Sequence, residues 1–293
     1  MQQIVISGAP ENVTALAQSL LTSRVSLAIA VSHPEEALAA AAAVTTNTVV
    51  PLSAKAWPQV AVLIITAYPV AENADWLATQ LAGMRQVINE AMDKGFTGKI
   101  LIAAPQDEIL TYFAQRFSGL AKKAVVGLGT FGLTRTFENT VATSLAVPRT
   151  SVTAYAVGTA TDFVLMWSRA YVGATPVLSL LRNADGTQSP LMAEVQTACD
   201  AFAKADQAAV RPLLVERVLA AFAGESLLTS LMAVPENSDE PVAAARPLVC
   251  DADGVRRLSD LLGSEAEEAA LSEVLAAVSE QLTAIEKGDS NEA

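Results

Sequence analysis

Acid–base catalysis near neutral pH most often falls to histidine, and this sequence of 293 residues holds one, His33, in the stretch Val31-Ser32-His33-Pro34. A lone loop histidine followed by proline reads as a solvated surface group. A serine–histidine–acid triad would have to use it, and no serine stands in a G-x-S-x-G elbow. Cys199 and Cys250 lie far apart with no Cys or His beside them, which is not a zinc spacing; they read as buried thiols in a reducing compartment. The acids Glu35-Glu36, Asp107-Glu108, Asp251 with Asp253, and Glu265 with Glu267 and Glu268 read as solvated helix starts or turns. Asp251-Ala252-Asp253-Gly254 opens like a calcium loop, but Val255-Arg256-Arg257 follow in place of oxygen ligands, so no metal site is expected. Trp57, Trp76 and Trp167 are spread out and read as core or interface anchors.

The elements that would position such groups alternate. Residues 3–8 form a short apolar run ending in Gly8, and the next segment, VTALAQSLLTS, repeats its apolar residues at helical spacing. SLAIAVS, VAVLIITAY, KILIAAP and AVVGLGT read as further strands. EEALAAAAAV, WLATQLAGMRQVINEAMDKG and ILTYFAQRFSGL read as the helices between them. Strands that are continuous apolar runs, separated by helices, predict a parallel sheet covered on both faces. The first half is therefore Rossmann-like.

From about residue 150 the pattern changes to SVTAYAVGT and VLMWSRAYVGATPVLSL, which favour antiparallel strands, with a turn at Asn183-Ala184-Asp185-Gly186. One or two helices, two strands, a terminal helix and six frayed residues complete the chain. The expected fold class is α/β, a doubly wound parallel sheet over residues 1–147 followed by an α+β domain with antiparallel strands over 148–293.

Composition excludes several functions. A net charge of −12 argues against a nucleic-acid partner, because docking on phosphates needs clustered cations. The only adjacent basic pairs are Lys122-Lys123 and Arg256-Arg257. Mean hydropathy is +0.36, yet the longest apolar runs fall short of the roughly 20 residues that span a bilayer. No membrane partner is expected. The start MQQIVISGAP lacks a basic segment, which points to a soluble, cytoplasmic protein.

Several segments, in order, resemble the lactate/malate dehydrogenase family. ITAYPV is similar to its strand ending T-A-G before the mobile substrate loop, ILIAAPQDEILTYFAQRFSGL to its V-T-N-P-x-D-x-L-T-Y entry, and AVVGLGT to its V-I-G-x-G-T strand. SVTAYAVG followed by WSRAYVGATPVL is similar to x-V-x-A-Y-V-I-G-E-H-G-D-S and W-S-x-A-x-x-G-G-x-P-L. The resemblance implies a two-part α/β fold, NAD, 2-hydroxy acid chemistry and a homo-oligomer, dimer or tetramer.

The site that the resemblance implies is altered throughout. The proton-relay histidine of G-E-H-G-D-S falls in Gly158-Thr159-Ala160-Thr161-Asp162, which has none. The segment like G-T-x-L-D-x-x-R has no aspartate, and Arg135 falls one position off the carboxylate-binding arginine. Arg135 either faces the cleft or pairs with an acid such as Glu138. Between Tyr68 and Arg85 the lid segment carries no basic residue, and Ala104 replaces the asparagine of V-T-N-P. In the turn Ser7-Gly8-Ala9-Pro10-Glu11-Asn12-Val13, Gly8 matches the first glycine of G-x-G-x-x-G, while Pro10 and Val13 stand where the others would be. No acid ends the second strand to hold the ribose.

The chain is thus expected to be a non-catalytic homologue with an assembly or regulatory role, alone or in association with an active dehydrogenase, and without NAD, which is implied by the resemblance alone. One alternative is an NAD-dependent 2-hydroxyacid oxidoreductase in which Arg135 and Asp162 take over, with Gly8 at the cofactor. Another is a small-ligand-binding protein whose old cleft is lined by Phe131, Phe163, Leu165 and Met166.

Overall fold

The computed structural model describes residues 1–32, 35–181, 189–236, 241–257 and 263–289. His33, the Asn183–Gly186 turn and the last four residues lie outside them. Six parallel strands build the first half: β1 (Gln2–Ser7), β2 (Leu27–Val31), β3 (Thr48–Pro51), β4 (Val60–Ile65), β5 (Lys99–Ile102) and β6 (Val125–Gly127). They lie in the order β3-β2-β1-β4-β5-β6, the doubly wound arrangement whose direction of winding reverses between β1 and β4.

The continuous apolar runs follow from burial on both faces. Along β4, Val62 and Ile64 enter one core with Ile4, Leu20 and Ile29, while Leu63 and Ile65 enter another with Val5, Met84 and Ile88. Helices α1 (Pro10–Leu21), α2 (Glu36–Ala42), α3 (Trp76–Asp93) and α4 (Asp107–Ser118) connect the strands. Pro10 starts α1, where its missing N–H is not needed. The Asp75 side chain caps α3 by accepting from Ala78 N at 2.6 Å, and Gly119, at φ +62°, closes α4.

The second half joins the same sheet. Helix α5 (Phe131–Ser144) leads to β7 (Val152–Thr153), β8 (Ala156–Gly158), β9 (Phe163–Leu165), β10 (Tyr171–Val172) and β11 (Thr175–Pro176). Helices α6 (Leu191–Lys204) and α7 (Arg211–Phe222) precede β12 (Leu227–Ala233), β13 (Ala244–Asp251), β14 (Gly254–Arg257) and the terminal α8 (Glu265–Asp289). Strand β12 pairs antiparallel with β6 through Met232 and Gly127, and β13, β8 and β9 follow; β14 pairs with β13. Gly127 permits this seam and the approach of α4, since a Cβ there would lie 2.9 Å from Met232 Cβ and 2.6 Å from Thr111 Oγ1. Strands β7, β10 and β11 form a separate small sheet.

The structure has a mixed α/β fold with a parallel Rossmann-like sheet and antiparallel strands. Strand β3 and helix α5 were not among the sequence-derived elements. TVVP is short, ends in proline and lies at the sheet edge. FGLTRTFENTVATS is rich in Thr and has low helix propensity; burial of Phe131, Leu133, Phe137 and Val141 holds it helical.

Candidate functional site

In open α/β sheets, ligands bind beyond the strands' C-terminal ends at the point where the winding reverses. Here that point is the turn from β1 into α1. Gly8 has φ +152°, and a Cβ built on it would fall 1.9 Å from Thr66 Oγ1. The close approach at Gly8 is thus made by the end of β4. The Ala9 amide donates to Ala67 O at 2.8 Å, and Asn12 Nδ2 donates to the same oxygen at 3.0 Å. Pro10 has no N–H to offer, and Glu11 is exposed at the helix start. Glu35, at the N-cap of α2, accepts from Thr14 Oγ1 at 3.1 Å.

The crevice between this turn and α7 has a volume of about 60 Å³ and is lined by Asn12, Thr66, Ala67, Ala103, Arg211 and Val215 among others. Small-molecule pockets usually start at about 300 Å³. A turn whose amide is bonded within the protein, whose second glycine is proline and whose crevice is this small does not fit a dinucleotide in the G-x-G-x-x-G manner. Arg211 is the cation of this crevice and escaped sequence reasoning, because nothing in a helix-start Arg-Pro pair signals proximity to Asn12, Thr66 and Ala103, far away along the chain. Burial lowers its pKa, opposed by Asp206 and Asp107.

The segment after β4 is pinned. Gln80, 1% exposed on α3, accepts from Tyr68 N at 2.6 Å and donates to Tyr68 O at 3.1 Å. The Tyr68 hydroxyl shares a hydrogen bond of 3.0 Å with Ser7 Oγ, and burial pushes its pKa up to about 12. Residues 69–75, beyond this clasp, are exposed and carry no cation.

Arg135 lies on α5, where its guanidinium donates to Glu138 Oε2 at 2.5 Å and sits 5.2 Å from the Phe131 ring centre. Burial raises the Glu138 pKa, with Arg135 opposing. Ala160 occupies the β8–β9 turn, which Thr159 closes by accepting from Asp162 N at 2.9 Å. Asp162 lines a cleft of about 480 Å³ together with Gln106, Glu108 and Thr161, and with Glu273 and Val278 from α8. Arg135 is not among the residues lining this cleft, so the two candidate replacements serve different surroundings.

Two expectations need correction. Asp107 and Glu108 are not solvated: they are 4% and 8% exposed. Burial pushes the Asp107 carboxyl up to about 7, with Glu108 adding to the shift; Asp107 Oδ2 accepts from Gly129 N at 2.5 Å. The seam between β6 and β12 buries this helix start, a tertiary contact with no local signature. Phe131, Leu165 and Met166 are 1%, 6% and 0% exposed and pack in cores, with Phe163 packed against one of them, so they do not line the cleft. Elsewhere, Ser264 and Glu267 form a reciprocal cap at the start of α8, and Asp251 accepts from Asp253 N in the β13–β14 turn. Cys199 and Cys250 are free and fully buried.

No family model matches the chain. The L-lactate dehydrogenase of Lactococcus lactis subsp. cremoris (strain NZ9000) is 34% identical over 125 residues, 41% of this chain and 40% of that protein. That of Allorhizobium ampelinum is 36% identical over 126 residues, 41% of each chain. The chain spans about two fifths of the length of the curated relatives it matches. Among solved structures, a minor L-lactate dehydrogenase from Enterococcus mundtii in a ligand-bound form superposes with a TM-score of 0.84 at 22% identity, over 97% of this chain and 98% of that one. A lactate dehydrogenase from a Medee basin deep-sea metagenome library gives 0.83 at 20% identity, over 96% and 98%. The chain shares the fold of these dehydrogenases across nearly its whole length, and part of its sequence, which supports the lactate/malate dehydrogenase family.

Proposed function

We propose that this lactate dehydrogenase-like chain is a non-catalytic homologue, kept for assembly or regulation. The observation that carries the reading is Ala160, a methyl side chain in the β8–β9 turn where the family resemblance calls for the proton-relay histidine. The chain's single histidine, His33, belongs to the opposite half of the sequence. Loss of a positioned acid or base removes roughly 10²- to 10⁴-fold of rate, and loss of a preorganised charge partner removes a comparable factor.

The surroundings support the same reading. Glu108, Asp162 and Glu273 give the larger cleft a negative lining that repels a 2-oxo acid carboxylate. Arg135, the residue that an altered but active 2-hydroxyacid oxidoreductase would need, is engaged by Glu138. In this reading residues 1–147 and 148–293 are the remnants of the nucleotide and substrate parts, Gly8 seats Thr66 in place of a pyrophosphate, and the chain acts as a homo-oligomer or beside an active dehydrogenase.

A titration with NADH, followed by its fluorescence and by calorimetry, tests the vacated cofactor turn. The expected result is no saturable signal. Saturable one-to-one uptake would show that the turn still holds a dinucleotide.

A further inference from the structure

The cleft beside the β8–β9 turn has a size and a charge that a vacated dehydrogenase does not explain. Its volume of about 480 Å³ lies within the range of small-molecule sites. Glu108 from α4, Asp162 from the β8–β9 turn and Glu273 from α8 contribute carboxylates; Val274 and Val278 contribute an apolar wall. None of the described residues lining it is Lys, Arg or His.

Glu108 supplies a second observation. It is 8% exposed, it faces the cleft, and among the described residues its carboxylate accepts only from its own backbone N–H. A buried carboxylate with no donor beyond its own backbone N–H and no cation is unfavourable, and Asp162 nearby adds repulsion. An incoming cation would supply the missing partner to both groups at once. A hydrocarbon body attached to it would cover Val274 and Val278.

We propose that this cleft binds a small organic cation, an amine with a short aliphatic body, whose ammonium group donates to Glu108 and Asp162. The ligand class is opposite in charge to a 2-oxo acid, and the site stands whether or not the chain has dehydrogenase turnover.

The test uses three probes with the same four-carbon chain: putrescine, 1,4-butanediol and succinate, titrated into the full chain by calorimetry at low ionic strength. Putrescine alone is expected to bind saturably, and more weakly as salt is added. Glu108→Gln is expected to weaken putrescine about 10- to 100-fold, the worth of a hydrogen bond to a charged group. Asp162→Asn, at an exposed position, is expected to weaken it about 3-fold. Both variants are to keep the wild-type circular dichroism spectrum, and Glu11→Gln, away from the cleft, is to keep wild-type affinity. The proposal is overturned if none of the probes binds, if butanediol or succinate binds as tightly as putrescine, or if folded Glu108→Gln retains wild-type affinity.

Discussion

Replacing Gly8 with alanine tests what this glycine is for. The new Cβ would lie 1.9 Å from Thr66 Oγ1 and 3.0 Å from the carbonyl oxygens of Thr66 and Ala67, on a backbone at φ +152°. A side chain in that backbone region costs about 1–3 kcal/mol, and forcing an atom into a filled space costs about 1–3 kcal/mol more. Gly8→Ala is therefore expected to lose about 2–6 kcal/mol, a large share of the roughly 5–15 kcal/mol that stabilises a typical protein. Thr66→Ala removes the nearest atom but leaves both carbonyls, so the double variant should recover only part of the loss. Thr66→Ala alone gives up one hydrogen bond to Ser7 O, worth about 1 kcal/mol. Urea unfolding of the four proteins, followed by circular dichroism, closes the cycle, with a coupling of about 1–3 kcal/mol expected between the two positions. The reasoning is refuted if Gly8→Ala unfolds within about 0.5 kcal/mol of wild type, or if its loss is the same with and without the Thr66 hydroxyl.

Asp107 makes stability depend on pH. Its carboxyl rises from the ordinary 3.8 to about 7 on folding, so the folded state holds a proton that the unfolded chain releases. Its contribution is fully present below pH 3.8 and is lost as pH rises through about 7. Asp107→Asn keeps an acceptor for Gly129 N, so urea midpoints measured at pH 5 and pH 8 should differ less in the variant than in wild type. Gln80→Ala leaves the Tyr68 amide and carbonyl without their side-chain partners; a loss of about 1–3 kcal/mol and faster proteolysis within residues 69–75 are expected from unfolding and limited-digestion measurements. The thiols of Cys199 and Cys250, buried and pushed up to about 12, should resist a chromogenic disulfide reagent in the native protein and both react once it is unfolded.

The sequence was most legible where one local pattern decides the outcome. Strands β1, β2, β4, β5 and β6 are buried on both faces, so their apolar runs needed no tertiary information. Strand β3 is too short and too exposed to stand out, and α5 is a poor helix former that only its buried face makes helical. That His33 is the single histidine was legible because it is a statement about residue identity. The surroundings of Arg135 were not: it could be placed near either Glu138 or a cleft, and only the fold puts it on Glu138. The acidic cleft joins residues 106–108, 159–162 and 273–281, and no spacing along the chain announces that meeting. Asp107 and Glu108 resemble any acidic helix start until the fold buries Asp107 at the β6–β12 seam and Glu108 beside the cleft.

The central claim is that a dehydrogenase fold has been kept while its proton relay and carboxylate clamp have gone. Its most direct test is a steady-state assay following NADH absorbance with a panel of 2-oxo acids, pyruvate and oxaloacetate among them. The account predicts oxidation no faster than the protein-free background at any substrate concentration. Saturable oxidation that scales with protein concentration and survives repeated purification would contradict it.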